Sequence, residues 1–164
     1  MKKGNPVAKI IIGIIMAIML CFFAYTIFRI VYKAGKGTDF AYIDVYSTFI
    51  NAEDNLAPDY KTKDLIILKY EDFYTPNQVV VFKENEVYRL GLIKKTSTSK
   101  YYIATSNDKT EDKDLVIAEY KDIAGSVYKN LGKIGKIFEI LSSTAAAVVT
   151  VIIFFLYVMF SKEA

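Results

Sequence analysis

The chain has 164 residues and a formal net charge of +3, a length that fits one domain of ordinary size. It has no histidine and one cysteine, Cys21, which removes the commonest general base and metal ligand, any intramolecular disulfide and any multi-thiol metal site. Lysines and acidic residues are mixed along the chain without a basic stripe, which argues against a nucleic-acid partner.

Residues 1–8 form a basic tail with Lys2 and Lys3. Ile10 to Ile30 (IIIGIIMAIMLCFFAYTIFRI) then carries no charge until Arg29. A membrane helix needs ~20 apolar residues to cross ~30 Å of hydrocarbon. The run predicts a transmembrane helix over 9–32. It is too long for a signal-peptide core, and no A-x-A site follows it. Leu20 before Cys21 is too large for lipoprotein cleavage. A buried core helix fails as an explanation because the run is apolar on every face.

Residues 33–132 predict a compact, mostly antiparallel β domain. Runs rich in Val, Ile and Tyr alternate with Asn, Asp, Pro and Ser, the pattern of strands and turns. The expected strands are Asp64–Tyr70, Gln78–Lys83, Glu86–Ile93, Lys100–Thr105, Leu115–Ala118 and Ile123–Val127. The tract KKTSTS reads as a polar connection. SNDKTEDKD (Ser106–Asp114) reads as a solvated loop, since its acidic spacing lacks the alternate ligands and central Gly of a calcium loop.

Gly132, Lys133, Gly135 and Lys136 lead into Ile140 to Phe160 (ILSSTAAAVVTVIIFFLYVMF), which has no charge. This predicts a second transmembrane helix over 133–160, with lysines at the headgroups, and a short tail over 161–164. Two spans place both tails on one side and the β domain on the other. Lys2, Lys3 and Lys9 balance Arg29, Lys33 and Lys36, so charge alone does not orient the chain.

With these elements in place, four stretches resemble the boxes of a type I signal peptidase of the kind shared by endoplasmic reticulum, archaea and spore-forming bacteria. The family's first box reads S-M-x-P, a few residues, then G-D-L-V/I. Here Asn55-Leu56-Ala57-Pro58 precedes Lys63-Asp64-Leu65-Ile66 at matching spacing. The strand that carries the family's basic residue followed by Arg is matched by Val87-Tyr88-Arg89-Leu90. The T-K-G-D-x-N box is matched by Thr105-Ser106-Asn107-Asp108, and the V-G-x-V strand by Ile123-Ala124-Gly125-Ser126-Val127.

The resemblance implies a signal-peptidase-like antiparallel β domain between two transmembrane helices. The family activates a serine hydroxyl with a neighbouring lysine or histidine. The resemblance puts Asn55 at the nucleophile position and Tyr88 at the base position. A carboxamide has no hydroxyl to deprotonate, and a phenol with pKa ~10 is a poor base at neutral pH. Leu56, Pro58, Asp64, Arg89 and Asp108 fall on supporting or peptide-groove positions. The serines outside the spans lack a following x-x-Pro, and Ser47 stands eight positions before Asn55. Lys94 shares strand parity with Tyr88 but lies ~20 Å along the strand. Lys61 and Lys63 have no nucleophile to activate, and no motif supports a carboxylate pair among Glu53, Asp54 and Asp108.

The resemblance therefore implies an inactive relative, requiring no metal or cofactor, that holds an extended peptide by strand addition. The expected location is the cell membrane, two-pass, with the central domain extracytoplasmic. The implied clients are secretory or surface proteins, with sortase or pilin machinery among the partners, because inactive relatives assist pilus assembly in Gram-positive bacteria. The abundance of Ile, Lys and Tyr, without His or Trp, points to an AT-rich genome of that kind. Two other readings stand beside this one: an active peptidase with an altered site, and a two-span sensor or complex subunit unrelated to peptidases.

Overall fold

A computed structural model describes residues 6–106 and 115–161. The chain divides into two compact units, Met1–Asp39 with Ile137–Ala164, and Phe40–Lys136.

In the first unit, α1 (Pro6–Lys36) is a single 31-residue helix. Its stretch Ile10–Lys36 is long and apolar enough to cross a membrane. Lys33 and Lys36 occupy the last turn, where cations complement the helix dipole. Gly37, at φ 64°, ends the helix in the left-handed conformation and donates its N–H to Lys33 O at 2.9 Å.

The second apolar stretch differs from the single helix expected over 133–160. A 3₁₀ turn at Gly132–Ile134 leads into α2 (Gly135–Leu141), and α3 (Thr144–Ser161) follows a bend of 58°. It supplies a second span only if the bent pair is taken as one. Two serines, Ser142 and Ser143, lie at the break. The Ser142 hydroxyl donates back to Phe138 O at 2.6 Å and the Ser143 hydroxyl to Ile140 O at 2.7 Å. Ser143 Oγ also accepts the Ala146 N–H at 3.1 Å, an N-cap that starts α3. The Thr26 hydroxyl of α1 reaches Ser142 O at 3.2 Å, and both residues are buried.

The second unit is a curled, seven-stranded antiparallel sheet. Its strands are β1 (Tyr46–Ile50), β2 (Leu65–Lys69), β3 (Val79–Glu84), β4 (Val87–Ser97), β5 (Lys100–Ala104), β6 (Val116–Glu119) and β7 (Ile123–Asn130). The spatial order is β1-β2-β7-β3-β4-β5-β6. Six strands coincide with those expected. β1 does not, because Ser47 and Thr48 interrupt its apolar pattern. Ser47 is nevertheless buried, its hydroxyl donating to Ala41 O at 2.8 Å. KKTSTS is also not a loop: Lys95, Thr96 and Ser97 pair with Tyr102, Tyr101 and Lys100, leaving Thr98-Ser99 as the turn. A register shift between Ile93 and Lys95 removes the parity expected between Lys94 and Tyr88.

Both faces of the central strands are covered. Val80 and Phe82 enter one core with Tyr74, Ile93, Ile103, Ala118 and Ile123. Val81 enters the other with Leu56, Ile66, Leu68, Leu90 and Ala124. Successive side chains of a strand point to opposite faces, so the unbroken run VVVF supplies both cores. Gly91 lies beneath Phe82, where a Cβ would collide with Ile103 and approach Phe82 Cε1 to 2.8 Å.

Candidate functional site

The loop from Asn51 to Asp64 joins β1 to β2 and carries the Asn55 box. Asn51 organises it from within. It is 1% exposed, and its Nδ2 donates to Glu53 O at 2.6 Å and Lys61 O at 3.1 Å. Its backbone pairs with Asp64 O and Lys63 N. Asp64, also buried, closes the other end. Its Oδ2 accepts Lys61 N–H at 3.0 Å and Asn130 Nδ2 at 2.9 Å, tying the box to β7. Asp54 Oδ1 accepts the Thr62 N–H. That backbone hydrogen bond holds the Asp54 carboxyl below the ordinary range, so it is ionised at neutral pH.

Loop burial brings Asn55 to the sheet. Leu56 inserts into the core against Leu90, Val81 and Ile66. The Ala57-Pro58 bond is cis, and Pro58 is exposed. Beside Leu56, Asn55 Nδ2 donates to Leu90 O at 3.0 Å. The direction of that carbonyl follows from the ladder. Ile93 exchanges its N–H and C=O with Gln78 and Asn77 on the β3 side. By strand alternation the carbonyl of Leu90 points the other way, toward the β5 side. β5 pairing ends at Ala104 opposite Leu92. Asn55 therefore caps β4 just past the last residue that β5 covers. Tyr88 lies two residues further on, ~7 Å by strand rise, with its backbone groups turned to the same side.

The structure thus brings Asn55, Leu56, Tyr88 and Arg89 to one end of β4. The Tyr88 ring packs edge-on to Phe40 at 4.8 Å, with Lys83 Nζ 5.8 Å from its centroid. Arg89 donates to Glu84 Oε2 at 2.8 Å and Glu53 Oε1 at 3.2 Å, linking β3, β4 and the Asn55 loop. Asp64 stands apart, at the β2–β7 end of the loop. Asp108 lies outside the described residues. Two buried side-chain atoms among the described residues have no hydrogen-bond partner, and both belong to this cluster: the acceptor Asn55 Oδ1 and the donor Arg89 Nε. Each carries the desolvation cost of an unmade hydrogen bond, about 1–3 kcal/mol.

A second polar cluster contains a serine, and its chemistry differs from what a nucleophile requires. The Ser126 hydroxyl donates to Glu71 Oε2 at 2.8 Å. Lys69 Nζ lies 3.0 Å from Glu71 Oε1, and Gln78 Nε2 donates to Oε2 at 3.1 Å. The hydrogen bond to Glu71 raises the Lys69 pKa and keeps it charged. Burial pushes Glu71 up, but the bonds from Ser126 and Lys69 outweigh it and leave the carboxyl below its ordinary range. A charged lysine and a stabilised carboxylate are both poor bases, so Ser126 is not activated. The cluster instead fastens the segment Tyr70–Gln78 to the sheet. Tyr120 assists by donating to Glu71 O at 2.9 Å, and burial raises the Tyr74 phenol beside it to about 12.

Sequence reasoning missed Asn51, the Glu53–Arg89 pair and the Glu71–Ser126 cluster. Only Asn51 has a local signal, because Asn-Ala-Glu at a strand end fits an Asx turn. Its Oδ1 accepts the Glu53 N–H at 3.4 Å. The other pairs join residues 36 and 55 positions apart. Among the described residues no group of three or more Cys, Asp or Glu side chains is placed to hold a metal ion. The chain matches no known family profile and no curated protein sequence.

Proposed function

We propose that this chain is a membrane-anchored, signal-peptidase-like protein without hydrolytic chemistry, which holds an extended segment of a secreted or surface protein at the end of β4. In this reading α1 and the bent α2–α3 stretch both cross the membrane, both tails are cytoplasmic and the sheet lies outside. The protein serves as an accessory in secretion or surface assembly.

The supporting observation is the hydrogen bond from Asn55 Nδ2 to Leu90 O at 3.0 Å, which joins the residue that the resemblance aligns with a nucleophile to the strand holding Tyr88, the residue it aligns with a base. Asn55 and Tyr88 supply neither a hydroxyl nucleophile nor a base suited to neutral pH. Asn55 Oδ1 is a buried acceptor and Arg89 Nε a buried donor without a hydrogen-bond partner among the described residues. Backbone pairing to such an edge supplies affinity and side-chain pockets supply selectivity.

The test uses the purified full chain and a synthetic signal peptide carrying a photoreactive residue. The expected result is a saturable adduct mapping to Asn55–Pro58 and Val87–Leu90, with the peptide left uncut. A saturable adduct on β6 or β1 instead, or no saturable adduct, sinks the proposal.

A further inference from the structure

Phe73 is 71% exposed, the most exposed large apolar side chain among the described residues. A lone exposed ring is ordinary. This one is held on a fixed mount and faces a cleft. It belongs to the segment Tyr70–Gln78, which the Glu71 cluster fastens to the sheet. Its chain neighbour Tyr74 is buried and packs against Tyr101 at 6.0 Å and Tyr120 at 5.9 Å.

Phe73, Tyr101 and Tyr120 line a cleft of about 610 Å³. Clefts that hold small ligands span roughly 300–1,000 Å³. Three elements close around it: the Tyr70–Gln78 segment, the Thr98-Ser99 turn between β4 and β5, and the 3₁₀ turn Tyr120–Asp122 after β6. The Tyr120 hydroxyl is already used, 2.8 Å from Tyr70 Oη and 2.9 Å from Glu71 O, and neither residue lines the cleft. What Tyr120 gives the cleft is therefore its ring.

Charge decides what enters. Two carboxylates, Asp72 and Glu119, line the cleft against one ammonium, Lys121. Lys121 Nζ lies 2.9 Å from Glu119 Oε2, so those two charges largely cancel. The exposed Asp72 carboxylate has no ion-pair or hydrogen-bond partner among the described residues. An anion meets that uncompensated charge and is disfavoured. A cation meets a carboxylate and the aromatic rings, whose faces attract positive charge. A planar guanidinium stacks on rings and pairs with a carboxylate through two N–H groups, whereas a lysine ammonium is more strongly hydrated and loses more on leaving water. We infer that this cleft binds an arginine side chain of a partner protein, stacked among Phe73, Tyr101 and Tyr120 and paired with Asp72. The Thr98 and Ser99 hydroxyls offer acceptors for its remaining N–H groups. An exposed aromatic anchor beside an arginine pocket is the composition of a protein interface. The cleft lies at the other end of β4 from Asn55, about 30 Å along the strand from Arg89, so the inference stands apart from the proposed function.

The test is a titration of the isotopically labelled full chain in detergent micelles with acetyl-Gly-Arg-Gly-amide, followed by backbone amide NMR shifts. Saturable shifts are expected at Asp72, Phe73, Tyr101 and Tyr120, and none at Asn55 or Leu90. The citrulline peptide, equal in shape but uncharged, should bind about tenfold more weakly, and Asp72→Asn should weaken the arginine peptide by about as much. Phe73→Leu, which keeps apolar bulk without the ring, should weaken it about threefold. Asp72 and Phe73 are both exposed, so these variants keep the fold. Free arginine brings its own carboxylate toward Asp72 and should bind more weakly than the capped peptide. Equal binding of the arginine and citrulline peptides, or an Asp72→Asn variant that binds as tightly as the wild type, overturns the cation site. Saturable shifts confined to other residues, or none, overturn it as well. Free arginine binding more tightly than the peptide refutes a protein-borne side chain as the occupant.

Discussion

The double substitution Asn55→Ser with Tyr88→Lys tests whether the end of β4 is a peptidase frame from which the reacting groups have been replaced. Asn55 touches Leu90 O, and Tyr88 is two residues further along, ~7 Å by strand rise. A flexible four-carbon lysine stem covers most of that distance. The new ammonium would also meet a like charge. Lys83 pairs with Tyr88 in the β3–β4 register, and its Nζ lies 5.8 Å from the ring centroid. Two unit charges at that separation repel by about 3 kcal/mol at an effective dielectric of ~20. That corresponds to a depression of about 2 pKa units. Glu86 pairs with Lys83 at 2.6 Å but is 87% exposed, so it offsets part of the repulsion. A depression of about 1–2 units then leaves the introduced lysine near pH 9 rather than ~10.4. The assay is acylation by a serine-directed fluorophosphonate, followed from pH 6 to 11. The double variant should label about 10²-fold faster than Asn55→Ser alone, the low end for a positioned general base. Its rate should reach half-maximum near pH 9. Equal rates for the two variants across the range would refute the alignment of Asn55 with Tyr88. A midpoint at or above the ordinary lysine value would refute the role given to Lys83.

Two further outcomes follow from packing and from the Glu71 cluster. Gly91→Ala should destabilise the sheet by about 1–3 kcal/mol, because its methyl enters the space filled by Ile103 and Phe82. Thermal unfolding of the full chain in detergent, followed by circular dichroism, checks it, and an unchanged midpoint would mean that the core adjusts without strain. Glu71 has its carboxyl held below the unfolded value, so it adds stability above that value and loses it as pH falls through the folded one. The unfolding midpoint should therefore drop as pH is lowered below ~4.3, and Glu71→Gln should flatten that decline. Parallel wild-type and Glu71→Gln curves between pH 6 and 3 would show that the cluster contributes nothing to acid sensitivity.

Strands were legible wherever an apolar run was bounded by turn residues, as in Gln78–Lys83 between Thr75-Pro76-Asn77 and Glu84-Asn85. They were illegible where polar residues pair across strands. Thr96 and Ser97 look like loop residues until Tyr101 and Lys100 lie opposite them. β1 was hidden for a related reason: Ser47 is buried by a bond to Ala41 O, a partner six residues away that no local pattern announces. The second apolar run was read by composition alone, which registers the absence of charge but not Ser142 and Ser143 bonding back to the preceding turn. In the candidate site the residue types were visible and the contacts were not. The resemblance gives Arg89 a supporting or peptide-groove position, and its partners Glu84 and Glu53 come from a neighbouring strand and a distant loop.

Under the proposed function, the Asn55 carboxamide gives a reason for such a frame to be kept without hydrolysis. A serine at that place offers one hydroxyl, which a peptidase must leave available for attack. Asn55 offers a donor and an acceptor held in one plane. The donor is committed to Leu90 O, which satisfies a carbonyl that β5 no longer covers. The acceptor is left buried and unpaired. Under the proposed function, an incoming strand that displaces the cover of Oδ1 and donates an N–H to it relieves the desolvation cost of an orphaned acceptor. Under the proposed function, the change from hydroxyl to carboxamide therefore does more than remove a nucleophile. It gives the position one group bonded to β4 and one buried acceptor still to be satisfied. Asn55→Asp tests that arrangement: a carboxylate keeps the acceptor but places negative charge against Leu90 O, so peptide capture should weaken while the Leu56 anchor in the core is retained.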